Sequence, residues 1–215
     1  MRYKKYTGIV LKKQNYKEAD QIVTVYTAEA GKVRVLAKGL RLGKSKLAYC
    51  LQDLNLVEIE VIGNKLPTLI GGKSLKGYRN VRENLDKIKA AFYASELMIK
   101  MTPDEQINPQ ALELFEEFLT HLNDDVAGQL HPALEVFSLK LLSCLGFGIE
   151  FAGNSFSIPS EISVHLNDLA QIDFEASQKL DLSSDLKTKI HHTVNNFIQF
   201  ILERNLKSQA FLVTL

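Results

Sequence analysis

The spacing of apolar residues changes once along this chain, at Glu83, and that change divides it into a β-rich first part and a helical second part. Before Glu83 the apolar residues alternate or sit in short β-branched blocks. Strands read over 6–13, 21–26, 32–37, 54–62 and 66–70, with a short helical turn over 46–52. In 54–62, Val57, Ile59 and Val61 point one way and Glu58 and Glu60 the other. Gly63-Asn-Lys65 forms the turn into the fifth strand.

After Glu83 the period is helical. Leu85, Ile88, Phe92 and Ile99 mark one helix, and Thr102-Pro-Asp stops it. A second helix starts at Pro109 with Leu112, Phe115, Phe118, Leu119 and Leu122 on one face. His131-Pro132 opens a third, 133–145, carrying Leu134, Phe137, Leu141 and Leu145 and ended by Gly146-Phe-Gly148. Residues 151–185 are polar and serine-rich, and read as loops with one short helix. A last helix spans 185–205, and the tail from Leu206 is a short extension that docks on the bundle. The expected fold is a multidomain α and β chain. An N-terminal five-stranded barrel of the oligonucleotide-binding (OB) type occupies 1–80, and an α-helical domain occupies 81–215. Other small barrels share the strand count.

Charge follows the same division. Residues 1–82 hold 17 Lys and Arg against 6 Asp and Glu, or +11, whereas 83–215 hold 9 against 19, or −10. The total of +1 conceals a basic barrel joined to an acidic helical part, the asymmetry expected when one part meets a polyanion. The basic charge concentrates in GKVRVLAKGLRLGKSK, residues 31–46. Its first half is a strand with Val33 and Val35 on one side and Lys32, Arg34 and Leu36 on the other. Its second half is a loop carrying Lys38, Arg41, Lys44 and Lys46, broken by Gly39 and Gly43. Such a loop suits a phosphate chain: the cations supply charge and the glycines let the backbone come close. Most basic runs are solvated surface, but few lie in a part this positive.

Single strands are held by cationic grooves with flat side chains on which bases stack. Tyr3, Tyr6, Tyr16 and Tyr26 lie among Arg2, Lys4, Lys5, Lys12, Lys13 and Lys17. One or two of the four are expected to be free to stack. With about five phosphates neutralised, affinity should fall with salt at a log–log slope of about −3.5 for single strands. Nothing here reads bases.

Other chemistries find little support. Cys50 and Cys144 stand far apart without a C-x-x-C, so neither a zinc site nor a disulfide framework is indicated. Gly71-Gly-Lys-Ser74 lacks the phosphate-loop spacing, since Pro67 occupies the position of the first glycine. His191 and His192 are adjacent on a helix and point about 100° apart. His121, His131 and His165 have no partner at ligand spacing, and surface or capping roles are expected for all five. The Glu116-Glu117 and Asp124-Asp125 pairs fall where a helix surface and a loop are ordinarily charged. No G-x-S-x-G or H-E-x-x-H string occurs, so a binding protein is expected rather than an enzyme. The apolar run near the start is too short for a signal-peptide core, and no window approaches eighteen apolar residues. The expected location is cytoplasmic, without membrane contact.

In order and spacing, a set of short strings resembles the RecO recombination mediators of bacterial DNA repair. They are G-I-V-L at 8–11, N-Y-K-E-A-D at 15–20, T-x-x-x-G-K at 27–32, A-K-G at 37–39, K-S-K-L at 44–47 and L-P-T-L at 66–69. E-x-F-x-L-K-L-L-x-x-L-G-F at 135–147 and L-K-S at 206–208 complete the set. The resemblance implies binding of single- and double-stranded DNA and annealing of complementary strands. It also implies work with a RecR partner to load the RecA recombinase onto strands coated with single-strand-binding protein, in the cytoplasm at the nucleoid. It places DNA contact on Lys38, Lys44 and Lys46, joined by Arg34 and Arg41 on charge. A partner surface is assigned to the helix over 131–147, through Phe137, Lys140 and Leu141. Many relatives carry a four-cysteine zinc module after the L-G-F element. Here the irregular insert at about 151–185 stands in its place without a cysteine, so no metal and no cofactor is expected. Two rival readings remain: an OB-fold RNA-binding protein, and an interaction scaffold whose acidic helices matter most.

Overall fold

The computed structural model describes residues 3–42, 45–125, 130–148, 156 and 158–208, without the side chains of 46, 130 and 131. Packing divides the chain into two compact units. One comprises Met1–Arg79 with Thr102–Glu116, and the other Asn80–Met101 with Glu117–Leu215. Residues 102–116, read from sequence as part of the helical domain, therefore pack with the strands. Lys32 supplies the physical reason: its buried Nζ donates to the Thr102 carbonyl at 2.6 Å and pairs with Asp104 at 3.2 Å.

The first unit is a closed five-stranded barrel in the order β1-β2-β3-β5-β4. The strands are β1 (Tyr3–Tyr16), β2 (Asp20–Thr27), β3 (Gly31–Ala37), β4 (Leu56–Ile62) and β5 (Thr68–Lys76). All pairs are antiparallel except β3 with β5, where Leu36 meets Thr68 in parallel. This is the OB arrangement.

Closure depends on β1, which serves two partners. Tyr3 to Ile9 pair with β4, Gly8 to Tyr16 pair with β2, and the register shifts between Val10 and Lys12. The extra residue bends the strand, as small barrels require. Beside the bend, a Cβ on Gly8 would lie 2.1 Å from the Tyr26 carbonyl oxygen, so only glycine lets β1 and β2 approach there. Inside the barrel, Val10, Val23, Val25, Val35, Val57, Ile59 and Val61 are fully buried. The helical turn α1 (Lys46–Cys50) contributes Leu47, Ala48 and Cys50 to the same core. Strand β5 runs to Lys76, past the expected end at Ile70, so the Gly71-Gly-Lys-Ser74 string is extended strand paired with β4.

The second unit is helical. Its elements are α2 (Arg79–Glu83), α3 (Leu85–Met101), α4 (Pro109–Asp124), α5 (Leu130–Cys144), α6 (Ser160–Gln171), α7 (Phe174–Gln178) and α8 (Ser184–Leu202). Helix α4 begins in the first unit and ends in this one. Helix α5 is central and packs against α3, α6, α7 and α8. Its apolar residues are accordingly buried around the helix: Ala133, Val136, Phe137, Leu141 and Leu142 are all at zero exposure. Phe118 stacks on Phe137 at 4.8 Å, and Phe174 leans on Phe118 at 5.7 Å.

Two expectations are corrected here. The segment 151–185 holds two helices, not one, because Ile162, Leu166 and Leu169 bury one face of α6 and Asp173 caps α7 by accepting from the Ala176 amide. Residues 151–155 and 157 of that segment lie outside the described residues. Nor are all the histidines at the surface. His191 Nδ1 lies 2.7 Å from the buried Glu135 carboxylate, and His121 contacts Gln178 at 3.2 Å. Of the tail, Leu206 to Ser208 dock on this unit, since Leu206 is buried and Ser208 bonds to Glu96, and 209–215 lie outside the described residues.

Candidate nucleic-acid interface

Strand β3 alternates as its sequence predicts. Val33, Val35 and Ala37 turn into the barrel core, and Arg34 stands exposed on the outer face. Lys32 shares that outer side, but its ammonium is buried against Thr102 and Asp104 and holds the returning chain. Beyond Ala37 the loop leaves Lys38 and Arg41 exposed and buries Leu40 between them, in the barrel core. At about 3.3 Å per residue, Arg34 lies roughly 13 Å up the strand from Lys38.

The loop is clamped to the β1–β2 turn. The Gly39 amide donates to Asp20 Oδ1 at 2.8 Å, and the Arg41 amide donates to the Ala19 carbonyl at 3.0 Å. Arg41 Nη1 donates to the Glu18 carbonyl at 2.9 Å, so this cation shapes the loop as well as charging it. Gly39 takes φ +62°, which lets the chain reverse toward the Leu42 amide bonded to the Gly39 carbonyl. Lys44 lies outside the described residues, as does the side chain of Lys46, whose backbone opens α1.

The four tyrosines separate cleanly. Tyr6 and Tyr26 are buried, whereas Tyr3 is 54% exposed and Tyr16 38% exposed, with Lys17 Nζ 5.5 Å from the Tyr16 ring centre. Two of the four are thus open to stacking. Sequence reading passed over Tyr49, which is 74% exposed on α1. Its signal was present, as an aromatic directly after the basic loop.

Three other barrel cations are engaged by carboxylates. Lys5 and Lys73 both reach Glu58 Oε1, at 2.9 and 3.1 Å, and Lys13 pairs with Asp53 at 3.6 Å. The bond to Lys5 pulls the Glu58 carboxyl below its ordinary value and raises Lys5 in return. These pairs lower the local field around Lys5, Lys13 and Lys73.

In the helical unit, the three partner-contact candidates differ in availability. Phe137 and Leu141 are fully buried, because α5 is the central helix and turns both into the core. They offer no docking surface. Lys140 is half-buried, with Nζ 5.9 Å from the Phe174 ring centre. Among the described residues no cluster of His, Cys, Asp or Glu has the arrangement of a metal site. No helix among them is long and apolar enough to cross a membrane.

Residues 1–78 match the family model described as "Recombination protein O N terminal", and 82–161 match "Recombination protein O C terminal". The chain is 28% identical over 243 residues to the DNA repair protein RecO of Symbiobacterium thermophilum, covering 97% of this chain and 96% of that one. It is 24% identical over 241 residues to the DNA repair protein RecO of Halalkalibacterium halodurans, covering 98% and 94%. A shorter match of 140 residues to the DNA repair protein RecO of Listeria monocytogenes is 33% identical and spans 54% of that relative. With matched models in both parts and relatives aligned over almost its whole length, the chain belongs to the RecO family.

Proposed function

We propose that this chain is a DNA repair mediator that binds single- and double-stranded DNA along the outer barrel face from Arg34 through Lys38 to Arg41. Lys44 and Lys46 extend that face on the sequence resemblance. One observation carries the reading. A closed OB barrel presents exposed cations on a loop whose shape is fixed by Gly39, Leu40 and Arg41, in the part of the chain that holds the net charge of +11.

The mechanism is charge neutralisation without hydrolysis. Cations along one face lower the repulsion between two strands, so complementary bases meet and pair. The acidic helical part keeps nucleic acid on the barrel side and presents a surface for protein partners. RecR and single-strand-binding protein are the partners proposed, with RecA loading as the outcome. Division into a DNA-binding domain over about 1–80, to which 102–116 return, and a helical partner domain over the rest of 81–215 belongs to the same proposal.

The test is annealing of complementary oligonucleotides coated with single-strand-binding protein, followed by fluorescence with and without this chain. Acceleration that depends on the chain and weakens with salt is expected. No acceleration, together with no measurable affinity for bare oligonucleotides, would overturn the proposal.

A further inference from the structure

The end of the barrel where β1 and β3 begin holds a cleft of about 280 Å³. It is near the lower edge of the roughly 300–1,000 Å³ range of small-molecule sites, which suits one nucleotide better than a larger ligand. Its floor is Tyr6 and Val33, whose side chains belong to the barrel core. One wall is the β4–β5 turn, with Asn64 and Pro67. The other is the returning segment, with Glu105 and Ile107.

Both walls are held by specific bonds. The Leu36 amide donates to the Pro67 carbonyl at 2.8 Å, and the Glu105 amide donates to the Lys32 carbonyl at 3.0 Å. Gly31 supplies the remaining close contact. At φ +65°, with a would-be Cβ only 1.9 Å from the Gln106 carbonyl, no other residue lets 102–107 approach β3 so closely. The cleft is therefore built into the fold.

Its chemistry is mixed in an informative way. Lys4, Arg34 and Lys65 supply cations, and Arg34 also belongs to the proposed DNA face. Two of the lining carboxylates are already engaged. Glu29 accepts the Thr7 amide on both oxygens at 3.0 and 2.8 Å, and Asp104 pairs with Lys32 at 3.2 Å. Ile107, Pro67 and Val33 supply apolar surface, and Asn64 supplies both a donor and an acceptor. A nucleotide has this composition: an anionic phosphate, a flat apolar ring and a polar ring edge.

We propose that this barrel-mouth cleft takes one unstacked nucleotide of a single strand, with its phosphates on Lys4, Arg34 and Lys65. The inference rests on the proposed function and deepens it. The outer face binds any phosphate chain, while the cleft favours strands whose bases are not paired, because a duplex base must first be extruded at a cost of a few kcal/mol.

The experiment uses the full chain, a 20-nucleotide single strand carrying 4-thiothymidine at successive positions, and a duplex of the same sequence. Photo-cross-links to 64–67 or 104–107 are expected. Ile107→Trp, at an exposed position where bulk fills the cleft, is expected to weaken single-strand affinity about fivefold or more and leave duplex affinity unchanged. Cross-links confined to 38–42, which lie outside the cleft, or equal loss on single and double strands, would overturn the cleft and leave the outer-face reading intact. Absence of all nucleic-acid binding by the unaltered chain overturns both.

Discussion

Ser208 donates to the Glu96 carboxylate from both its amide, at 2.7 Å, and its hydroxyl, and so fastens the segment 206–208 to α3. The Lys207 amide reaches the other oxygen at 3.0 Å, beside Lys100 Nζ at 2.9 Å. Burial pushes the Glu96 carboxyl up, but the Ser208, Lys100 and Lys207 donors outweigh it and hold its pKa at about 2. A folded value below the unfolded one stabilises at pH above about 4.3, and that stabilisation fades as pH falls toward 2. After screening at this partly exposed site, Glu96→Gln should cost about 1–2 kcal/mol at pH 7. Urea denaturation of the two proteins should show the difference narrowing between pH 5 and 2. A difference that does not change with pH would mean that shape, not charge, holds the tail.

A second acid–base pair lies in the same helical unit. His191 Nδ1 faces Glu135 at 2.7 Å, its Nε2 lies 2.8 Å from Asn195 Nδ2, and Asn195 Oδ1 accepts from the Tyr93 hydroxyl at 2.6 Å. Burial lowers the pKa of His191, but the hydrogen bond and charge of Glu135 raise it more, and the net direction is up. The sign is opposite to that of Glu96. Stabilisation is complete below about pH 6.5 and is lost as pH rises through the raised folded value. Glu135→Gln should drop the His191 pKa below 6.5, read as an NMR shift titration. The stability gap between the two proteins should be wider at pH 6 than at pH 8.5.

The strands were legible because β-branched residues alternate along them, and β3 shows this at single-residue level. Val33 and Val35 face in and Arg34 faces out. Long-range organisation was less legible. Lys32 reads as one more cation of a basic run, and only the fold reveals that its ammonium secures Thr102 and Asp104. Helix α5 shows the limit from the other side. A stripe of Leu134, Phe137 and Leu141 was visible, but burial of Val136, Leu139 and Leu142 as well marks a helix covered all round. That distinction depends on neighbours far away in sequence, and it is why two partner-contact candidates proved to be core. Helix α6 was different, since Ile162, Leu166 and Leu169 stand at helical spacing and were hidden only by a polar composition. For the site, charge located the loop, while its clamp onto Asp20, Ala19 and Glu18 needed the folded barrel.

Barrel closure is testable at one atom. Gly8→Ala forces a Cβ against the Tyr26 carbonyl at the residue where β1 passes from β4 to β2. Neither strand can move without opening the ladder, so a loss of about 3 kcal/mol or more is expected. Thermal unfolding by circular dichroism should show a large fall in Tm. A fall of only a degree or two would mean that the barrel relaxes and that the close approach is not required for closure.

The proposed DNA face makes a quantitative prediction about salt. Arg34 and Lys38 are exposed on rigid backbone, so replacing both with Ala removes charge without opening the core. Each phosphate contact contributes about 0.7 to the log–log slope for a single strand. Arg34→Ala with Lys38→Ala should therefore flatten a slope of about −3.5 to about −2.1, measured by fluorescence anisotropy between 50 and 200 mM salt. Arg41→Ala should act differently. It also removes the bond to the Glu18 carbonyl, so it should loosen the loop and weaken binding by more than its share of the slope accounts for. An unaltered slope in the double variant, with the fold intact by circular dichroism, would show that the strand runs elsewhere on the barrel.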